Sequence, residues 1–321
     1  MRLLRRTIFS MLAAVALSGP ALADPALWKV SDADSAVYLF GSVHMFTRDV
    51  DWRTPEFDAI LKAAEHVYFE VVMDIEAYST ITQISITKGM LRDGKTLADL
   101  LTPDEHRRLS GVAAQSGLDV ATLERMQPWF ATMALMGGGS GIRTRAGVEM
   151  LLDAEIAPER KRSLETAAEQ MGFLADAPIE EQIDALMSTV EGIESGATEA
   201  LEPLMAAWER GDTSALLRAM TEQMTPRDRA SYDTLVTKRN ERWLTPIEQM
   251  LADNDDSLII VGAGHLVGSG GVPALLEQRS YTVERVDEPP AGGPPAARSD
   301  SFRRRSAGST CRRPWTRRRR P

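Results

Sequence analysis

The chain has few of the residues that would give it sulfur chemistry or a membrane span. Its 321 residues include one cysteine, Cys311, near the far end. Residues 24–288 therefore carry no internal disulfide, and a thiolate nucleophile and a thiolate-ligated metal are both excluded there. Histidine is scarce too, with four in all. No His-Glu-x-x-His occurs, which removes a zincin-type helix site, and no Gly-x-Ser-x-Gly elbow supports a serine triad. After residue 23 no apolar run approaches the roughly 18–20 residues that a membrane helix needs. Positive charge is short as well. Residues 289–321 hold 10 Arg against 1 Asp, and residues 1–23 add Arg2, Arg5 and Arg6, so the net charge of −9 becomes −21 for residues 24–288. A body of that charge excludes bulk electrostatic attraction to nucleic acid or anionic membrane.

The two ends read differently from the middle. A basic head, the short apolar stretch Ile8–Leu17 and the small-x-small pattern Ala21-Leu22-Ala23 describe a secretory signal peptide, residues 1–23. The reading predicts an exported chain, periplasmic or secreted, cleaved near Ala23. From Pro289 onward the sequence is rich in Pro, Gly, Ala and Arg without a periodic apolar face, and predicts a disordered tail over 289–321. The intervening 24–288 is long enough for one large domain that holds itself together by burial.

Within that domain one pattern occurs twice. The apolar run Val37–Phe40 leads into Gly41-Ser42-Val43-His44, and Ser257–Ile260 leads into Val261-Gly262-Ala263-Gly264-His265. Each is a short strand ending in glycine and then histidine. The other two histidines look ordinary: His66 reads as the end of a helix and His106 as part of a charged helix face.

The elements between them suggest an α/β fold: a central, mostly parallel sheet flanked by helices, with a large helical insertion over about 75–250. Trp28–Val30 and Val37–Phe40 form a hairpin around an Asp-rich turn. Thr54-Pro55 opens a helix, and Val67–Val72 follows as a strand, a crossover that implies parallel pairing. Thr102-Pro103-Asp104-Glu105 and Thr166–Glu169 cap helices. Lys161–Thr166 reads as a short strand, and a long helix runs from Pro226 and carries Arg239 and Arg242. Gly137–Gly141 reads as a connection and not a phosphate loop, since no Gly-Lys-Ser/Thr follows.

Glu70 lies in an otherwise apolar strand, where a carboxylate needs a partner, a metal or a raised pKa. Glu165 lies at a strand-to-helix junction, where it can serve the helix dipole alone. In open α/β sheets, sites form beyond the carboxyl ends of the strands. His44, His265 and Glu70 placed there make a nitrogen–oxygen ligand set suited to a divalent metal such as Mn, Co or Zn. Arg239 and Arg242 read either as holders of an anionic group or as solvated helix charges, and local pattern favours the latter.

Taken together, several short motifs resemble the TraB/GumN family, relatives of the Tiki proteases, in a wider group with erythromycin esterase-like and ChaN-like domains. They are Leu39–His44, Phe69-Glu70, Pro128-Trp129, Gly147-Val148-Glu149, Leu164–Thr166 with Glu169-Gln170, Arg239-Asn240 and Val261–Leu266. The chain departs from the family at Glu149, where an Asp is usual, and at Lys161-Arg162-Ser163, where an apolar strand is usual. The resemblance implies a metal-dependent hydrolase acting on a peptide, amide or small ester. It assigns His44, Glu70 and His265 to the metal, with Glu70, Glu165 and Arg239 catalytic. Two alternatives remain open: a non-catalytic haem- or metal-binding protein of the ChaN-like kind, and a domain in which the histidines only stiffen the sheet.

Overall fold

In the computed structural model, residues 23–138, 145–222 and 224–286 are described. The signal-peptide and tail readings, and most of the Gly137–Gly141 connection, lie outside them. Among the described residues eight strands occur: β1 Leu27–Ser31, β2 Ala36–Ser42, β3 Met45–Phe46, β4 His66–Phe69, β5 Arg145–Ala146, β6 Lys161–Ser163, β7 Ser257–Gly262 and β8 Thr282–Arg285. Six of them form one sheet in the order β6-β4-β7-β2-β1-β8, and β3 pairs with β5 alone.

Four neighbours in that sheet, β6, β4, β7 and β2, run parallel, and β1 and β8 close the far side antiparallel. The central strand is β7, which arrives late in the chain and enters between β2 and β4. Its composition explains the position. Ser257, Leu258, Ile259, Ile260 and Val261 are all buried, so the strand has no face that tolerates water. Leu258 and Ile260 pack with Phe40, Phe57, Leu61, Val67 and Trp208 on one side. Ile259 and Val261 pack on the other with Val30, Val37, Leu39, Trp243, Ile247 and Leu251. The alternation is the two-residue period of a strand.

The helices form where their caps predict. Thr54 accepts from the Phe57 backbone with Pro55 in the first turn, and Thr102/Glu105 and Thr166/Glu169 make reciprocal capping boxes. Between Ile75 and Ala252 the described residues form helices and their connections apart from β5 and β6, with a core of their own around Leu97, Leu109, Val112, Leu135, Leu186 and Val190. The helix expected from Pro226 forms without a break but is not α-helical throughout. It runs Pro226–Tyr232, loosens into a five-residue π turn over Asp233–Thr237, and resumes as Lys238–Ala252. His66 also differs from expectation. The preceding helix ends at Ala63, and His66 starts β4 with its Nδ1 2.9 Å from Asp255 Oδ1. No helix among the described residues is long and apolar enough to cross a membrane.

Candidate functional site

Four parallel strands end at the same edge, and each delivers one expected residue there. His44 follows β2, Glu70 follows β4, Glu165 follows β6 and His265 follows β7. The register is tight: Ser42 lies opposite Gly262, and Phe69 lies opposite both Ile260 and Ser163. Side chains two hundred residues apart in the chain thus meet beyond one row of strand ends.

Gly262 marks the meeting point. A Cβ at this glycine would lie 3.3 Å from Glu70 Oε1, 3.6 Å from a ring carbon of His265 and 3.7 Å from His44 Nε2. The absent side chain leaves the space that the three groups share. The Gly262 N–H donates to Glu70 Oε1 at 2.9 Å, which fixes the carboxylate against the strand end.

Both histidines are held by their Nδ1 atoms. The Asn240 amide nitrogen donates to the carbonyls of His265 and Gly270, at 3.2 and 2.8 Å. The amide oxygen must therefore face the ring, and His265 Nδ1–H donates to it at 2.6 Å. Nε2 keeps its lone pair and points toward Glu70 Oε1, 3.7 Å away, and Arg239 Nη1, 3.3 Å away. His265 also lies against the Trp243 ring, with centroids 4.4 Å apart. Burial, with Arg239 and His44 nearby, lowers its pKa to about 4, so the ring is uncharged at neutral pH.

His44 Nδ1 donates to Glu149 Oε1 at 2.9 Å, and the Ser42 hydroxyl donates to the same oxygen. The hydrogen bond to Glu149 raises the His44 pKa to about 9. Because 68% of the His44 side chain is open, this pair orients the ring and contributes little to stability. The loop that carries it is pinned by Gly147: a Cβ there would collide with the His44 carbonyl, and Val148 N–H donates to the Val43 carbonyl at 3.0 Å. Glu149 Oε2 is buried with no hydrogen-bond partner.

Glu70 and Glu165 share one guanidinium. Arg239 Nη2 donates to Glu70 Oε2 at 2.6 Å and to Glu165 Oε2 at 2.8 Å, and Nε reaches both Glu165 oxygens at 3.0 and 3.1 Å. Gln170 donates to Glu70, and Trp243 Nε1 donates to Glu165. Burial opposes the charge on Glu70, and the positive field of His265 when protonated and of Arg239 outweighs it, holding its pKa at about 2. Arg239 itself is 6% exposed, so the expectation of a solvated helix charge is corrected. That expectation holds for Arg242, which is exposed and paired with Glu169 at 3.1 Å. Glu165 is buried beneath Arg239 and is bound to it, not to the helix dipole alone.

Two imidazole nitrogens and a carboxylate oxygen converging beside Gly262 suit a divalent cation in donor type, and the anchored Nδ1 atoms are the outer support that histidine ligands commonly have. Among the described residues no three His, Cys, Asp or Glu side chains are already closed up as a metal centre. Here the carboxylate is committed to Arg239 and Gly262.

A family profile described as the TraB/PrgY/gumN family matches residues 26–285. The chain belongs to this family. Among curated proteins it is similar to Metalloprotease TIKI2 of Xenopus tropicalis, 27% identical over 322 residues, covering 83% of this chain and 60% of that protein. It is also similar to Metalloprotease TIKI2 of Danio rerio, 26% identical over 305 residues, covering 78% and 58%. The chain thus spans about 60% of the length of these relatives. No solved structure matches it.

Of the residues that hold the site in this TraB/PrgY/gumN member, Glu149, Gln170 and Asn240 stand in the short motifs that carried the resemblance, without a role read from them. Ser42 stands in the Leu39–His44 motif, again without a role read from it, and Trp243 gave no local signal. Trp243 had a legible address in the sequence, four residues after Arg239 on one helix face, but nothing that separated it from a core tryptophan.

Proposed function

We propose that this chain is an exported, metal-dependent hydrolase that cleaves a peptide or amide bond. The convergence of His44 Nε2, Glu70 Oε1 and His265 on the space beside Gly262 carries the reading. The printed names of the relatives support the same chemistry. His44, His265 and Glu70 would hold a divalent cation such as Mn, Co or Zn, which when bound would polarise the scissile carbonyl and lower the pKa of a water.

The protein's own groups divide the remaining work. Asn240 accepts from His265 Nδ1, so the uncharged ring offers a lone pair at Nε2, whereas His44, whose pKa Glu149 raises to about 9, must release its Nε2 proton for that nitrogen to bind a cation. A carboxylate with a pKa near 2 is a poor proton acceptor at neutral pH, which favours Glu70 as an anchor over Glu70 as a general base. Arg239 brings fixed positive charge to the edge where negative charge develops on a carbonyl oxygen. Glu165 does not reach the shared space and acts by positioning Arg239, with Trp243 bracing both Glu165 and His265.

The decisive measurement is metal content and peptide hydrolysis by protein purified without a histidine tag. One metal per chain is expected. His44→Ala should lose metal and activity together with an unchanged melting temperature, since that ring is mostly open to water. Undiminished metal and turnover in His44→Ala would overturn the assignment.

A further inference from the structure

A cavity of about 270 Å³ lies beside the site and has no part in the proposed reaction. Its walls are mainly apolar: Met133 and Met136, Phe173 and Leu174, and Leu235 from the π turn. The Phe173 ring lies 5.7 Å from the Arg239 guanidinium carbon, and the Leu235 carbonyl accepts from Arg239 Nη1 at 3.0 Å. Phe173 and Leu235 thus line the cavity on one side and contact Arg239 on the other, and Arg239 in turn binds Glu70 and lies 3.3 Å from His265 Nε2.

We propose that this cavity is a specificity pocket that takes one large aliphatic or aromatic side chain of a peptide substrate, close to the bond being cleaved. The proposal rests on the hydrolase reading and deepens it. Size favours a single side chain, because pockets for whole ligands run about 300–1,000 Å³. Two methionines at the mouth, 36% and 60% exposed, supply a deformable apolar rim that adapts to side chains of different shape. Charge sets the exclusion. Glu181 and Asp228 also line the cavity, and hydrogen bonds from Ser188 and Thr225 outweigh burial to keep Asp228 ionised. An acidic side chain would enter against like charge, and no Lys, Arg or His is among the described residues that line the cavity.

The test uses internally quenched Gly/Ser peptides carrying one varied residue, Ala, Leu, Met, Phe, Trp or Glu, with the full chain loaded with Mn²⁺. Cleavage should occur beside the varied residue, with kcat/KM for Leu, Met or Phe about 10- to 100-fold above Ala and no gain for Glu. Ala185→Phe, which fills the cavity, should bring that ratio near one. Met133→Ala, at the partly open rim, should widen the pocket and shift preference toward Trp, which guards against a folding failure in the first variant. In parallel, the same peptides with an N-methylated backbone bond at the varied residue are bound to the chelated protein and read by fluorescence anisotropy. Graded binding without hydrolysis would sink the hydrolase reading and leave the pocket standing. Hydrolysis and binding indifferent to the varied residue, or absence of both, would overturn the pocket.

Discussion

Arg239 is the residue on which the site's stability turns. Its guanidinium is buried between two carboxylates and cannot lose its proton, so removing it leaves two negative groups buried side by side. Arg239→Leu should lower unfolding free energy by about 3–5 kcal/mol, checked by urea denaturation of chelated protein. Asn240→Ala acts more narrowly. It frees the His265 ring to change tautomer, and metal affinity should fall about 10- to 100-fold in a competition titration. The pH dependence follows from Glu70. Its folded pKa of about 2 lies below the ordinary 4.5, so its stabilising contribution is complete above about pH 4.5 and is lost as pH falls toward 2. The stability gap between chelated wild type and Glu70→Gln should close over that window. At neutral pH uncharged His265 leaves Arg239 as the partner, and below about pH 4 the imidazolium adds to it.

Among the elements, β7 does the most to assemble the site, and its apolar run Leu258–Val261 marks it as a buried strand. Gly262 ends it where a side chain would crowd Glu70, His265 and His44. Gly262→Ala should therefore keep the melting temperature near wild type, since no positive φ is required there, yet weaken metal binding sharply, as isothermal titration would show. The caps at Thr54, Thr102 and Thr166 were readable because they depend on neighbours within four residues. The π turn at Asp233–Thr237 was not. It adds one residue to the helical ladder without any Pro or Gly to announce it, and it lies next to Arg239, as such insertions commonly lie at functional sites. His66 was misread for a related reason: its partner, Asp255, is far away in sequence.

For the molecule as a whole, charge dominates. Residues 24–288 carry a net −21, and self-repulsion on that scale opposes compaction. Raising NaCl from low to moderate concentration should raise the melting temperature, each kcal/mol recovered giving ~2–4 °C for a domain of this size. A fall in Tm over the same range would mean that surface ion pairs such as Arg53–Glu155 and Arg108–Glu194 outweigh the net repulsion. The helical span keeps a separate apolar core, and the residues that line the proposed specificity pocket all belong to that span.

The sequence by itself determined the α/β class, the principal strands, the caps and the glycine–histidine pairs, because periodicity, capping and backbone turns are local properties. It also singled out His44, Glu70, Glu165, Arg239 and His265 as the residues to watch. Only the tertiary structure decided that β7 enters between β2 and β4, which brings His265 beside Glu70 and opposite the strand that carries His44. It likewise decided that Arg239 is buried, because the charge of an arginine on a helix says nothing of what packs over it. Those outcomes depend on partners seventy to more than two hundred residues away, and pairings at that distance are set by how the layers close over one another.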